Sequence, residues 1–209
     1  MIARLTGALV IVFARLLTGV RGNWQGCLPE PRPRVYFANH ASHGDFVLIW
    51  SVLPRAIRLE TQPVAGADYW LKGRLRRFLA EQVFRAVLID RRPEARTGDP
   101  IAAMAASLDQ GRSLILFPEG TRNTTDAVLL PFRGGLARLA AERPQAELIP
   151  VWIDNLNRVM PKGKLVPIPL LCTVTFGAPV APFEGESRPA FLVRARDALL
   201  ALAPKREPS

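Results

Sequence analysis

The chain has 209 residues, 49% of them hydrophobic, with a net charge of +10. That length holds one domain with a substantial core, and the hydrophobic content excludes a disordered chain; with one long apolar segment, at the N-terminus, a multi-span membrane protein is excluded too. The positive charge selects polyanionic partners, and the lack of a zinc-finger, RRM-like or basic-zipper signature turns that expectation toward anionic lipid headgroups and phosphorylated small molecules, away from nucleic acid.

Ile2 to Val20 is apolar except for Arg4 and Arg15. At a helical 100° per residue these two arginines share a narrow face, opposite Leu5, Leu9, Phe13 and Leu16, which describes an amphipathic helix lying on a membrane. A spanning helix would have to bury or snorkel Arg15, and the charge-free run Leu5–Ala14 is too short to cross alone. A structural helix packed on the domain is the alternative, and a signal peptide lacks its cleavage site here. Residues 1–22 are therefore expected to form a membrane-associating helix and 23–209 a single α/β domain. Arg15, Arg21, Arg32 and Arg34 are expected to face an anionic leaflet.

Gly22 to Pro33 reads as a connector rich in Gly and Pro. Arg34–Ala38 then has the apolar character of a buried strand, and Gly44–Leu53 has helical spacing until Pro54 stops it. A second apolar run, Val83–Ile89, ends at Asp90-Arg91-Arg92, and a helix over Pro100–Gln110 follows, opened by Asp99 as N-cap and closed by Gly111. Ser113–Phe117 is the clearest strand. Helix Gly134–Arg143, strand Glu147–Ile153, strand Leu171–Phe176 and a last helix over Pro189–Leu202 complete the pattern. Strands alternating with helices predict an α/β fold, a largely parallel central sheet flanked by helices, with its site at the carboxyl ends of strands. Cys27 and Cys172 form no disulfide framework or zinc pattern and read as inert thiols.

Three polar clusters occupy strand ends, at His40, Arg91 and Glu119. His40 and His43 are the chain's two histidines. Asp45, in the first turn of the following helix, is close enough in sequence to hold one imidazole nitrogen while the other faces a substrate hydroxyl, which is a general-base arrangement. A purely structural His/Asp turn is the plainer reading of the pair alone. A metal site built on His40, His43 and Asp45 would need distant carboxylates such as Glu119, so no metal is expected. Asn39 is placed to fix the turn. Phe117-Pro118-Glu119-Gly120-Thr121-Arg122 adds a carboxylate, backbone N–H groups and a guanidinium suited to phosphate.

Asn39-His40-x4-Asp45 followed by Phe117-Pro118-Glu119-Gly120-Thr121-Arg122, in this order, resembles the glycerolipid acyltransferase family that includes 1-acylglycerol-3-phosphate acyltransferases. Weaker blocks add to the resemblance: Ala86-Val87-Leu88-Ile89-Asp90-Arg91, Pro131-Phe132-Arg133-Gly134-Gly135 and Leu148-Ile149-Pro150-Val151. The resemblance implies an O-acyltransferase that moves a fatty acyl chain from an acyl thioester, acyl-CoA or acyl carrier protein, to the sn-2 hydroxyl of 1-acylglycerol 3-phosphate, giving phosphatidic acid. It implies His40 as base and Asp45 as its orienter, with Glu119, Gly120, Thr121, Arg122 and Arg91 shaping the acceptor site, no cofactor beyond the acyl donor, and a peripheral place on the cytoplasmic face of the inner membrane. Another lysolipid or amphiphilic alcohol is the alternative acceptor, and a non-catalytic peripheral membrane-binding protein the alternative of another class. The family pattern is broken twice: Arg85 stands where glycine is usual, and Gly66 where a basic residue is usual.

Overall fold

The computed structural model describes residues 1–90, 98–154 and 171–204. Its centre is a seven-stranded sheet built from β1 (Arg21–Trp24), β2 (Arg34–Ala38), β3 (Thr61–Gly66), β4 (Val87–Ile89), β5 (Ser113–Leu116), β6 (Glu147–Asp154) and β7 (Thr173–Phe176), in the order β1-β7-β6-β2-β5-β3-β4. Strands β2 to β6 run parallel, whereas β7 is antiparallel to β6 and carries β1 parallel to itself.

The alternation of side chains along each strand divides the core in two. Tyr36, Ala38, Ile115, Ile149 and Val151 point to one face, where α1 (Ile2–Thr18) and α2 (Asp45–Val52) contribute Ile11, Phe46, Ile49 and Trp50. Val35, Phe37, Leu114, Leu116 and Leu148 point to the other, covered by α6 (Pro100–Asp109), α7 (Gly135–Glu142) and α8 (Arg188–Leu200) through Met104, Leu136 and Phe191. The short helices α3 (Arg55–Leu59), α4 (Ala67–Trp70) and α5 (Arg74–Phe78) lie between, and α5 runs directly into a π turn, Leu79–Val83. Asp99 caps α6 by accepting from the Ile101 N–H at 3.0 Å, as the sequence predicts.

Three expectations change. The Gly22–Pro33 connector begins inside β1, which pairs with β7 through Trp24 and Phe176, their rings stacked at 3.9 Å. The Val83–Ile89 run yields only the three residues of β4, because Arg85 takes a left-handed backbone (φ 50°) that no strand tolerates. Third, most of the basic residues assigned to the leaflet are engaged by the protein. Arg34, 2% exposed, donates to Glu147 Oε2 at 2.7 Å and to the Leu28 carbonyl at 2.6 Å; Arg32 pairs with Glu30 and Glu147; Arg15 donates to the Ser51 carbonyl at 2.6 Å. Only Arg21 of the four stays exposed with no such tie among the described residues.

Helix α1 buries Gly7, Ile11, Ala14 and Thr18 against the domain and leaves Leu5, Leu9, Phe13 and Leu16 exposed. Among the described residues no helix is long and apolar enough to cross a membrane. Both cysteines are free, and burial pushes the Cys172 thiol up to about 11, far from a reactive range.

Candidate active site

Because β2, β3, β4 and β5 are parallel, their carboxyl ends meet along one edge of the sheet. The chain leaves β2 at Ala38, and Asn39 immediately fastens the exit to β6: its side-chain oxygen accepts from the Ile153 N–H at 2.8 Å and its amide donates to the Ile153 carbonyl at 3.0 Å. This two-point clamp leaves His40 next in line at a fixed place above the sheet.

The turn that follows is organised around one carboxylate oxygen. Oδ2 of Asp45, on a residue 1% exposed, accepts from the backbone N–H groups of Ala41 at 2.7 Å and Ser42 at 2.8 Å, and it lies 2.8 Å from His40 Nδ1. Backbone N–H groups can only donate, so Oδ2 is an acceptor, and the His40 proton belongs on Nδ1. Nε2 is then left with its lone pair. The ring is flanked by Phe117, stacked at 4.1 Å between centroids, which restricts its rotation. Together Asp45 and Phe117 hold an imidazole in the tautomer and orientation that a proton acceptor needs.

Next to the His40 backbone lies Glu119, 2% exposed. One of its carboxylate oxygens accepts from the backbone N–H of His40 at 2.7 Å and the other from Leu130 at 2.9 Å. Burial pushes its acidity constant above the ordinary glutamate value, and these two N–H groups oppose that push. Glu119 thus ties the loop after β5 to the loop after β2. Asn123 reinforces the tie by donating its N–H to the His40 carbonyl at 2.6 Å.

His40, Gly120, Thr121 and Arg122 line one cavity of about 400 Å³. The end of β3 and α4 line it too, through Ala65, Gly66, Asp68, Tyr69 and Trp70, followed by Lys72. His43 is there as well, stacked on Tyr69 at 4.6 Å. A second cavity, of about 370 Å³, lies across Phe117 and Gly120, floored by Ile101, Met104 and Leu136 and edged by Arg133. Gly120 has φ 70°, and a Cβ there would sit 2.6 Å from Arg133 Cδ and Nε, so the guanidinium lies directly over the glycine that separates the two spaces.

Of the residues singled out in the sequence, His40, Asp45, Gly120, Thr121 and Arg122 come together as expected in position. Glu119 is near them but faces backbone and does not line either cavity. Arg91 lies outside the described residues. Asn39, expected to fix the turn, does so by its two bonds to Ile153, whereas Phe117, Tyr69 and Arg133 were not given these parts by sequence reasoning. Phe117 carried a signal, since an aromatic residue closing a strand beside Pro-Glu-Gly must stand at the same sheet edge as His40. Nothing in the sequence marks Tyr69, whose position depends on a β3 that Pro63 disguises. Among the described residues no three of His, Cys, Asp and Glu gather as metal ligands would.

This geometry can be set beside known proteins. The 1-acyl-sn-glycerol-3-phosphate acyltransferase of Cocos nucifera is 30% identical over 185 residues, covering 84% of this chain and 56% of the relative. A lyso-ornithine lipid O-acyltransferase of Rhizobium meliloti is 28% identical over 116 residues, covering 56% of this chain and 37% of the relative. The chain spans about half the length, or less, of these curated relatives. The crystal structure of the 1-acyl-sn-glycerophosphate (LPA) acyltransferase PlsC from Thermotoga maritima superposes with a TM-score of 0.70 at 20% identity, covering 95% of this chain and 79% of that one, a likeness of fold. The acyltransferase family model matches residues 25–154, more than half of the chain and the whole stretch that carries His40, Asp45 and the loop 117–122; the chain belongs to the acyltransferase family.

Proposed function

We propose that the protein is a membrane-surface O-acyltransferase that moves a fatty acyl chain from acyl-CoA or acyl carrier protein to the sn-2 hydroxyl of 1-acylglycerol 3-phosphate, giving phosphatidic acid. The observation that carries the reading is His40, held at Nδ1 by buried Asp45 at 2.8 Å, lining the same cavity as the Arg122 guanidinium. The base and a phosphate-sized cation share one space.

In this mechanism His40 Nε2 takes the proton of the acceptor hydroxyl as its oxygen attacks the thioester carbonyl. Asp45 steadies the resulting imidazolium. The tetrahedral intermediate collapses, the carbon–sulfur bond breaks, and the departing thiolate recovers the proton from Nε2, so that the products are the ester and a free thiol. General-base assistance of this kind is worth roughly 10²–10⁴-fold. No covalent acyl-enzyme is needed. Arg122 holds the acceptor phosphate, with Arg91 as a second contact, while Thr121 and Gly120 shape the wall of the site. The exposed leucines of α1, together with Phe13, favour a peripheral place on an anionic bilayer, where both lipids reside.

One observation favours a second acceptor. Gly66, standing where the family usually has a basic residue, lines the cavity wall, and Asp68 lies two residues on. A headgroup other than a bare phosphate monoester is thereby admitted, and the likeness to a lyso-ornithine lipid O-acyltransferase gives that alternative a chemical example.

The test is acyl transfer by the purified protein from labelled acyl-CoA to a panel of lysolipids, with His40→Ala as control. Transfer to 1-acylglycerol 3-phosphate, lost in the variant, is the expected result. Transfer to another lysolipid alone would move the assignment to the second acceptor, and release of free fatty acid without an acylated product would sink the transferase reading.

A further inference from the structure

Between Tyr69 and Ala80 the chain carries four basic residues, Lys72, Arg74, Arg76 and Arg77, and no acidic one. All four are exposed, as are Leu71, at 36%, just before Lys72 and Leu75, at 70%, between Arg74 and Arg76. The segment contains Gly73 at φ 92°, which breaks α4 from α5 and turns this basic, leucine-bearing stretch outward as a short arm. Its one ion pair among the described residues is loose, Arg77 with Glu81 at 3.9 Å between exposed side chains.

The arm is tied to two places that bear on lipid. At its start, Tyr69 and Lys72 belong to the wall of the acceptor cavity, and Arg76 lies over the Tyr69 ring at 4.5 Å. At its end, α5 continues without interruption into the π turn, on which α1 rests: a Cβ at Gly7 would stand 3.4 Å from Val83. The arm therefore begins at the rim of the cavity and ends in the π turn that packs on the inner side of α1.

We propose that Leu71, Leu75, Arg74 and Arg77 form a second contact with an anionic bilayer, beside α1, and bring the rim of the acceptor cavity at Lys72 and Tyr69 down to the lipid surface. Isolated exposed leucines are ordinary on proteins. Here the two stand among basic side chains, in a chain whose α1 exposes further leucines and Phe13, which is the combination that binds interfaces, apolar groups entering among the acyl chains and guanidinium groups pairing with headgroup phosphates. An acidic carrier protein would complement the charge as well, yet it would leave the exposed Leu5, Leu9, Phe13 and Leu16 of α1 uncovered, whereas a bilayer can take both the basic, leucine-bearing arm and that helix. The inference rests on the reading of the cavity as a lipid acceptor site.

The experiment compares the unaltered chain with the Arg74→Ser/Leu75→Ser/Arg77→Ser variant in sedimentation with phosphatidylcholine vesicles that contain phosphatidylglycerol. None of the three lines the cavity. Binding of the variant should be weaker by about tenfold or more, the difference should shrink in high salt, and Leu75→Trp should tighten binding several-fold. The variant should also show a raised apparent KM for acceptor embedded in vesicles, with unchanged turnover of detergent-dispersed acceptor. Vesicle binding equal to that of the unaltered chain overturns the proposal, and equal binding with transfer lost only from acyl carrier protein reassigns the arm to an acidic protein. The binding measurement uses neither substrate, so a protein that transfers nothing would sink the functional reading, while the role of the arm at the bilayer would still stand or fall on sedimentation.

Discussion

The carboxylate of Glu119 accepts the backbone N–H of His40 at 2.7 Å and that of Leu130 at 2.9 Å. A buried acid with both oxygens given to main-chain donors is a brace between two loops. Glu119→Gln keeps the shape but offers one acceptor oxygen and an amide that faces a donor, so one buried N–H loses its partner at a cost of about 1–3 kcal/mol. We expect kcat to fall by tenfold or more with little change in acceptor KM. A raised KM with kcat intact would make Glu119 an acceptor-binding residue instead.

Gly120 sits between the two cavities in a left-handed conformation, under the Arg133 side chain. Gly120→Ala meets two separate penalties: about 1–2 kcal/mol for a Cβ at positive φ, and displacement of Arg133. A denaturation cycle with Arg133→Ala separates them. The double variant should recover the part due to collision and retain the part due to φ. Strict additivity would mean that Arg133 does not press on Gly120.

Arg85 accounts for one of the two breaks in the family pattern. Its φ of 50° is a conformation suited to glycine, and its carbonyl is held there by Gln62 Nε2 at 2.7 Å. Among the described residues the side chain itself reaches only Glu60, at 3.9 Å between exposed groups. Arg85→Gly relieves strain of about 1–2 kcal/mol, partly offset by the greater freedom of glycine in the unfolded chain. A rise of roughly 0.5–1 kcal/mol in urea unfolding is expected, with activity unchanged; a loss of stability would show that Arg85 makes a contact of real value.

The parallel strands β2, β5 and β6 were legible because each is a short apolar run bounded by turn residues, and the His40 and Glu119 loops followed from where those strands must end. Strand β3 was not, since Pro63 and Gln62 interrupt its apolar character while the sheet supplies the partners that make it a strand. Nor was the fate of Arg34 and Arg15, which read as surface cations until their carboxylate and carbonyl partners, 113 and 36 residues away in sequence, are brought beside them. Such ties across the fold decide whether a charge faces lipid or protein, and no local pattern encodes them.

His43 offers a test by pH. Desolvation in its stack, with Arg122, His40 and Arg76 nearby, pushes its acidity constant below the ordinary value of 6.5. The folded state therefore binds fewer protons there than the unfolded state. Its contribution to stability is complete above about pH 6.5 and is lost as the pH falls through the lower folded value. His43→Phe keeps the ring on Tyr69 without the proton. The stability of the variant relative to the parent should rise as the solution is acidified below about pH 6.5, in urea titrations; a pH-independent difference would contradict the shift.

Asp45 joins folding and chemistry at one oxygen, and two substitutions pull them apart. Asp45→Asn still presents an oxygen to Ala41 N, Ser42 N and His40 Nδ1, so the turn and the tautomer survive while the negative charge opposite the imidazolium is gone. Asp45→Ala removes the acceptor as well and strands two backbone N–H groups, each costing about 1–3 kcal/mol. The amide variant should melt near the parent yet lose roughly 10²–10⁴-fold in kcat, at similar acceptor KM. The alanine variant should lose both stability and turnover. If Asp45→Asn turned over normally, the carboxylate would serve the turn alone, and His40 would have to act without a charged partner.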